Sequence, residues 1–132
     1  MKILIVEDEA LTAMNMEAVL KDLGHHIVGI ADDEPSAILA AKTFAPDLAF
    51  VDVQLAGGHS GKKVAQEITQ LGVRVIFATG NCAGVMDSDY AIGCLHKPLS
   101  DDQLARGAAI AAAVISSTPY PELPRGMHLF LS

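Results

Sequence analysis

The sequence predicts an α/β fold, a doubly wound parallel sheet with helices on both faces. Three observations carry this. Short, almost wholly apolar runs recur along the chain, the pattern of strands buried on both sides. Each run is followed by a stretch with helical spacing or helix-capping residues. The 132 residues are 51% hydrophobic and 19% charged, enough for one domain with a full core.

The elements follow in order. Residues 2–6 form a continuous apolar strand that ends in acids. Residues 9–23 place Leu11, Met14, Ala18 and Leu20 at helical spacing, and Gly24 stands where a helix would end. The second strand is predicted over 26–31. Asp32-Asp33-Glu34-Pro35 then supplies a cap, first-turn charge and an early proline for a helix carrying Ile38, Leu39 and Ala41. Pro46-Asp47 turns the chain into a third strand over 48–53, and Gly57, Gly58 and Gly61 mark the loop after it. Val64, Ala65 and Ile68 define the third helix, 73–78 the fourth strand, and 82–89 a short, poorly patterned helix. The fifth strand is expected over 91–95. Ser100-x-x-Gln103 has the form of a capping box and opens a last helix to about residue 116. Residues 118–132 carry Pro119, Pro121 and Pro124 and read as a tail, which leaves 1–117 as the domain.

Composition narrows the function. Nine Lys and Arg against 16 Asp and Glu give a net charge of −7, unsuited to nucleic acid, whose phosphates need clustered cations. The run from Ala108 to Ile115 is far shorter than the roughly 18 apolar residues of a membrane span. Two cysteines, Cys82 and Cys94, are too few for a disulfide framework and lack zinc-ligand spacing, and Cys94 reads as a packed small hydrophobe. A soluble, reduced, cytoplasmic protein is expected.

Five β-α units in the flavodoxin-like strand order 2-1-3-4-5 place the ligand crevice beyond the carboxyl ends of the first and third strands. Glu7 and Asp8 end the first strand and Asp52 the third; Thr79-Gly80 ends the fourth and Lys97-Pro98 the fifth. Three convergent carboxylates repel by about 4 kcal/mol per close pair at an effective dielectric near 20. A hard divalent cation such as Mg²⁺ relieves this repulsion. With a hydroxyl and an ammonium opposite, the set describes a phosphoryl site with a carboxylate nucleophile. Taken singly, each residue has a plainer reading: Asp8 and Glu9 as helix caps, Asp52 and Thr79 as turn residues, Lys97 as a solvated lysine.

The ordered pattern Glu7-Asp8, Asp52, Thr79, Lys97-Pro98 resembles the receiver domain of two-component response regulators over about residues 1–117. The resemblance implies that Asp52 accepts a phosphoryl group from a histidine kinase or phosphotransfer protein. It implies that Glu7, Asp8, Asp52 and the main-chain carbonyl of Gln54 hold Mg²⁺, and that Thr79 and Lys97 bind the phosphoryl oxygens. Phe77-Ala78-Thr79-Gly80 is further similar to a single-domain branch with a Phe-Ala-Thr-Gly-x-Tyr motif, although Asn81-Cys82 stands where that motif ends in Tyr. A second departure is Cys94, at a position where many receivers carry an aromatic switch residue.

The expectation is therefore a stand-alone receiver with no output domain and no enzymatic turnover beyond its own phosphorylation and dephosphorylation. It would signal to a downstream protein or act as a phosphate sink. A homodimer through the fourth helix, fifth strand and last helix, with part of the Ala-rich stretch 105–115 at the contact, is a further expectation. The alternatives are a receiver-like binding module that is not phosphorylated and, less favoured, a small aspartate-nucleophile phosphatase or a flavin carrier. The phosphatase lacks its second acid, since that residue is Gln54, and the flavin carrier lacks a Ser/Thr/Gly-rich phosphate loop after the first strand.

Overall fold

The computed structural model describes residues 1–130. Strands β1 (Lys2–Val6), β2 (His26–Ala31), β3 (Leu48–Val51), β4 (Arg74–Thr79), β5 (Gly93–His96) and β6 (Met127–Leu129) form one sheet in the order β2-β1-β3-β4-β5-β6. The first five are parallel, as the buried apolar runs predict; β6 joins antiparallel to β5. Helices α1 (Ala10–Asp22), α2 (Glu34–Phe44), α3 (Gly61–Gln70) and α4 (Asp101–Ser116) connect and cover them.

Alternate residues of each strand feed two cores. Ile3, Ile5, Phe50 and Ile76 pack under α1 and α4, whereas Leu4, Val6, Val51 and Phe77 pack under α2 and α3. Both phenylalanines are fully buried; truncating either to alanine should cost about 3–5 kcal/mol. α4 lies close to the sheet because Gly107 has no side chain: a Cβ there would stand 3.2 Å from Leu95. Ala108, Ile110 and Ala111 are fully buried against the sheet, so most of the Ala-rich stretch serves packing. The capping box is present in full, with Ser100 accepting from the Gln103 amide and the Gln103 side chain accepting from the Ser100 amide.

Four expectations change. On α1 the core face is Ala13, Met16 and Leu20, while Leu11 and Met14 are 83% and 60% exposed. On α2 the buried residues are Ala37 and Ala41, and Leu39 faces solvent. The segment after β4 forms only a short 3-10 turn, Cys82–Val85, in which Cys82 and Val85 are the buried residues. The presumed tail is ordered as far as described: Gly126 accepts from the His96 amide and Phe130 donates to Ile92, tying β6 to the outer edge of β5. A Cβ on Gly93 would stand 2.3 Å from the His128 carbonyl, so glycine is what admits the strand. The face expected to meet a second copy therefore has, among the described residues, a 3-10 turn in place of the helix expected between β4 and β5, and its β5 edge is taken by β6. Residues 131–132 of the expected tail lie outside the described residues.

Candidate functional site

The parallel register brings the carboxyl ends of β1, β3, β4 and β5 together. Sheet-like bonds run one residue past the strands, Glu7 donating to Ala31 at 2.8 Å and Asp52 to Val6 at 2.9 Å, which fixes both backbones before their side chains enter the crevice. Glu7, Asp8 and Asp52 each offer a carboxylate oxygen, and these atoms lie within 4.8 Å of one another. Glu7 and Asp52 are buried and Asp8 is exposed at the mouth.

Lys97 reaches in from the end of β5. Its Nζ donates to Glu7 Oε1 and, at 2.9 Å, to Asp52 Oδ2. Its backbone amide donates to the Thr79 carbonyl at 2.9 Å, so β4 and β5 stay in register up to the site. The Lys97–Pro98 peptide is cis. Burial pushes the Glu7 carboxyl up to about 7, with the Asp52 charge adding to the effect and the Lys97 hydrogen bond opposing it. Burial also works against the Lys97 ammonium, but its bonds to Glu7 and Asp52 outweigh that and hold its pKa above the ordinary lysine value. One ammonium thus faces three acids. An all-oxygen donor set with surplus negative charge fits a hard divalent cation such as Mg²⁺.

The plainer readings hold in part: Thr79 caps the turn after β4, while Asp8 is not the cap of α1 and Lys97 is not a solvated lysine. Glu9, not Asp8, is the N-cap of α1, and its side chain makes no capping bond. Lys97 is mostly buried, its side chain 18% exposed. Thr79 is buried at the end of β4, one strand from Asp52, where its Oγ1 accepts from the Asn81 amide at 3.2 Å. Its own hydroxyl hydrogen is free to donate elsewhere. Gln54 is exposed two residues beyond Asp52, where its backbone bridges to Ser60.

Two contributors escaped the reading of the sequence. Gly61 was visible only as a loop residue, yet a Cβ there would fall 1.6 Å from the Asp52 carbonyl oxygen. The start of α3 is thus seated directly on the backbone that presents Asp52, with the Gly61 amide donating to Val53 at 2.7 Å. The signal was a third glycine in the β3–α3 loop, at a helix start rather than in a turn. The other is a disulfide. Cys82, one residue after Asn81, bonds to Cys94 of β5 with 5.9 Å between their Cα atoms, so neither is a free thiol as expected.

An acid pair after β1, an acid after β3, a hydroxyl at the end of β4 and a lysine after β5 together define a receiver-type site. A profile of the response regulator receiver domain matches residues 3–108, and the chain belongs to that family. It is 40% identical over 80 residues to the phyllosphere-induced regulator PhyR of Methylorubrum extorquens, covering 59% of this chain and 30% of that protein. It is 29% identical over 116 residues to the transcriptional regulatory protein PdtaR of Mycobacterium tuberculosis, covering 85% of this chain and 57% of PdtaR. The chain therefore spans well under two thirds of these relatives' lengths. Among solved structures, the receiver domain of Erythrobacter litoralis PhyR superposes with a TM-score of 0.77 at 29% identity, covering 93% of this chain and 95% of that one.

Proposed function

We propose that this receiver accepts a phosphoryl group on Asp52 and reports it by contact with another protein. The observation that carries the reading is the position of Asp52: buried, hydrogen-bonded to Lys97, and within 4.8 Å of two further carboxylates. An Asp52 oxygen would attack the phosphorus of a phosphohistidine, the P–N bond would break, and the imidazole would leave. Lys97 would turn from Glu7 and Asp52 to a phosphoryl oxygen, and Thr79 would donate its free hydroxyl hydrogen to another. Glu7, Asp8, Asp52 and the Gln54 carbonyl are the residues that would hold Mg²⁺. Bound there, the ion would neutralise charge on the phosphoryl oxygens. Turnover is limited to phosphorylation and hydrolysis of Asp52 itself, since Gln54 supplies no second acid for a phosphatase.

The net charge of −7 favours a protein over nucleic acid as reader. A related PhyR, from Bartonella quintana, is described as an anti-anti-sigma factor, which also supports a protein partner. The donor's docking place would be the groove of about 580 Å³ that runs from Leu11 and Asn15 of α1 to Lys97 and Leu99.

Intact-mass analysis after incubation with a small phosphodonor tests this. One phosphoryl adduct is expected with Mg²⁺, and none in Asp52→Asn. No adduct on the wild type would leave a binding module that is not phosphorylated. Adduct formation without any protein that binds the phosphorylated form more tightly would point to a phosphate sink instead.

A further inference from the structure

The disulfide joins the two arms of the site that carry its neutral and cationic phosphoryl ligands. Cys82 opens the 3-10 turn three residues after Thr79, and Cys94 lies in β5 three residues before Lys97. Both sulfurs belong to the core that also holds Phe77, Val85 and Tyr90, and Cys94 is fully buried. Cys82 is only 2% exposed, but it lines a pocket of about 310 Å³ together with Gly80, Asn81, Met86, His96 and His128. His128 also stands opposite Cys94 in the β5–β6 pairing. The pocket is the path by which a small oxidant or a dithiol would reach Cys82.

The bond spans only 12 residues of sequence, all of it the connection from β4 to β5. The far half of that connection is anchored by buried Val85, Ala91 and Ile92 and by Tyr90, which packs edge-on against Phe77 and donates to the Lys62 carbonyl. The bond therefore adds most to the near half, residues 80–84. In that near half the 3-10 turn is short, the Asn81 side chain has no hydrogen-bond partner among the described residues, and beyond it the exposed Lys62–Asp87 pair and the Tyr90 hydroxyl link the loop to α3. With the bond closed, residues 80–82 are fixed to β5, and so is the Asn81 amide that engages Thr79 Oγ1. With the bond open, Gly80 can let the loop move as Thr79 turns.

We propose that Cys82 and Cys94 form a redox-responsive pair that gates the β4–β5 loop, so that oxidation opposes phosphorylation of Asp52 and reduction permits it. Oxidation by a hydroperoxide breaks two S–H bonds and the O–O bond, forms the S–S bond, and releases an alcohol and water; with hydrogen peroxide it releases two waters. A dithiol reverses it by exchange, regaining both thiols and becoming a disulfide itself. The coupling is reciprocal: a phosphorylated site makes the disulfide easier to reduce by the same factor that the disulfide weakens phosphorylation. The gating of phosphorylation rests on the phosphoacceptor reading above; the redox pair and its hold on the loop do not.

The test uses the whole chain, oxidised with hydrogen peroxide or reduced with dithiothreitol. Denaturing maleimide labelling should find two thiols in the reduced chain and none in the oxidised one. Amide exchange over residues 80–84 should be faster in the reduced chain by about tenfold, the loss of a local closing constraint. With phosphodonor and Mg²⁺, phosphoryl uptake should be about tenfold slower in the oxidised chain, within the range of ordinary allosteric coupling. Cys82→Ala should behave as the reduced chain in either buffer. Thiols that do not interconvert, or equal exchange in the two states, would overturn the redox pair. Equal uptake in both states, or a peroxide effect that persists in Cys82→Ala, would overturn the gating. If neither state takes up phosphoryl, the phosphoacceptor reading fails and the gating with it, while labelling and exchange still decide the redox pair.

Discussion

The two flanks of the sheet are built on opposite plans. On one side, β1 and β3 deliver acids into a crevice from backbones fixed by neighbouring strands, by Gly61 and by α3 packed behind. On the other, β4 and β5 deliver Thr79 and Lys97 from a flank whose connecting helix is reduced to a turn, held by a disulfide and by a strand returning from the far end of the chain. The acids sit where rigidity matters, because a nucleophile and a metal site need fixed geometry. The hydroxyl and the ammonium sit on the flank whose loop the proposed redox pair would hold or release. The predictions below probe that division, from the largest effect to the smallest.

Asp52→Asn should abolish phosphoryl uptake entirely, as seen by intact mass. It should also raise the melting temperature of the metal-free protein, because one of three clustered carboxylates is gone. An unchanged melting temperature would mean that Lys97 already balances the acids. A residual adduct mapping to another carboxylate, such as Asp47, would move the site.

Glu7 makes the metal-free protein sensitive to pH. Its carboxyl holds a proton up to about 7 in the fold but only to about 4.5 when unfolded. Between those values the native state binds more protons than the unfolded one, so stability falls as pH rises through the window. At about 1.4 kcal/mol per unit, the loss is of the order of 3 kcal/mol across it. Denaturant melts at pH 5 and 7 without metal should show this fall. Mg²⁺ should restore stability at pH 7, by about 1.4 kcal/mol at tenfold its Kd. Glu7→Gln should flatten the dependence.

Gly61→Ala tests the rigid flank from behind. The new methyl must displace the Asp52 carbonyl or the start of α3, and because the clash is with backbone the cost should be about 3 kcal/mol or more. Phosphoryl uptake should fall with stability, since the displaced backbone carries the nucleophile. A folded, stable variant that takes up phosphoryl at the wild-type rate would show that the site tolerates movement there.

The side chains that enter the crevice were legible in the sequence on both flanks, and the contacts that hold them in place were not, for physical reasons. Strands buried on both faces write themselves as apolar runs, and an acid ending such a run is conspicuous, so Glu7, Asp8 and Asp52 could be placed from position alone. Thr79 and Lys97 followed from the same rule. The role of Gly61 depends on a contact with the Asp52 carbonyl that no local pattern encodes. β6 is three residues long and follows three prolines, below what a period-of-two signal can reveal. The disulfide joins residues on different elements, and two cysteines without a framework spacing give no pairing signal. The misread face of α1 has another origin: Leu11 and Met14 are apolar, but it is Ala13, Met16 and Leu20 that face the sheet.

That misreading leads to the smallest effect on stability. Leu11 is 83% exposed at the start of α1, beside the crevice, and lines the groove that runs to Lys97 and Leu99. A large apolar side chain this exposed contributes little to the fold, so Leu11→Ser should change stability by no more than about 0.5 kcal/mol. If the groove receives a phosphodonor protein, the same change should slow transfer from that protein while leaving uptake from a small phosphodonor unchanged, because Asp52, Lys97 and the acid pair are untouched. Measuring both rates on one variant separates docking from chemistry. Equal slowing with both donors would mean that Leu11 supports the crevice itself. No change with either would place the donor on another face, with the β4–β5 flank the next to examine.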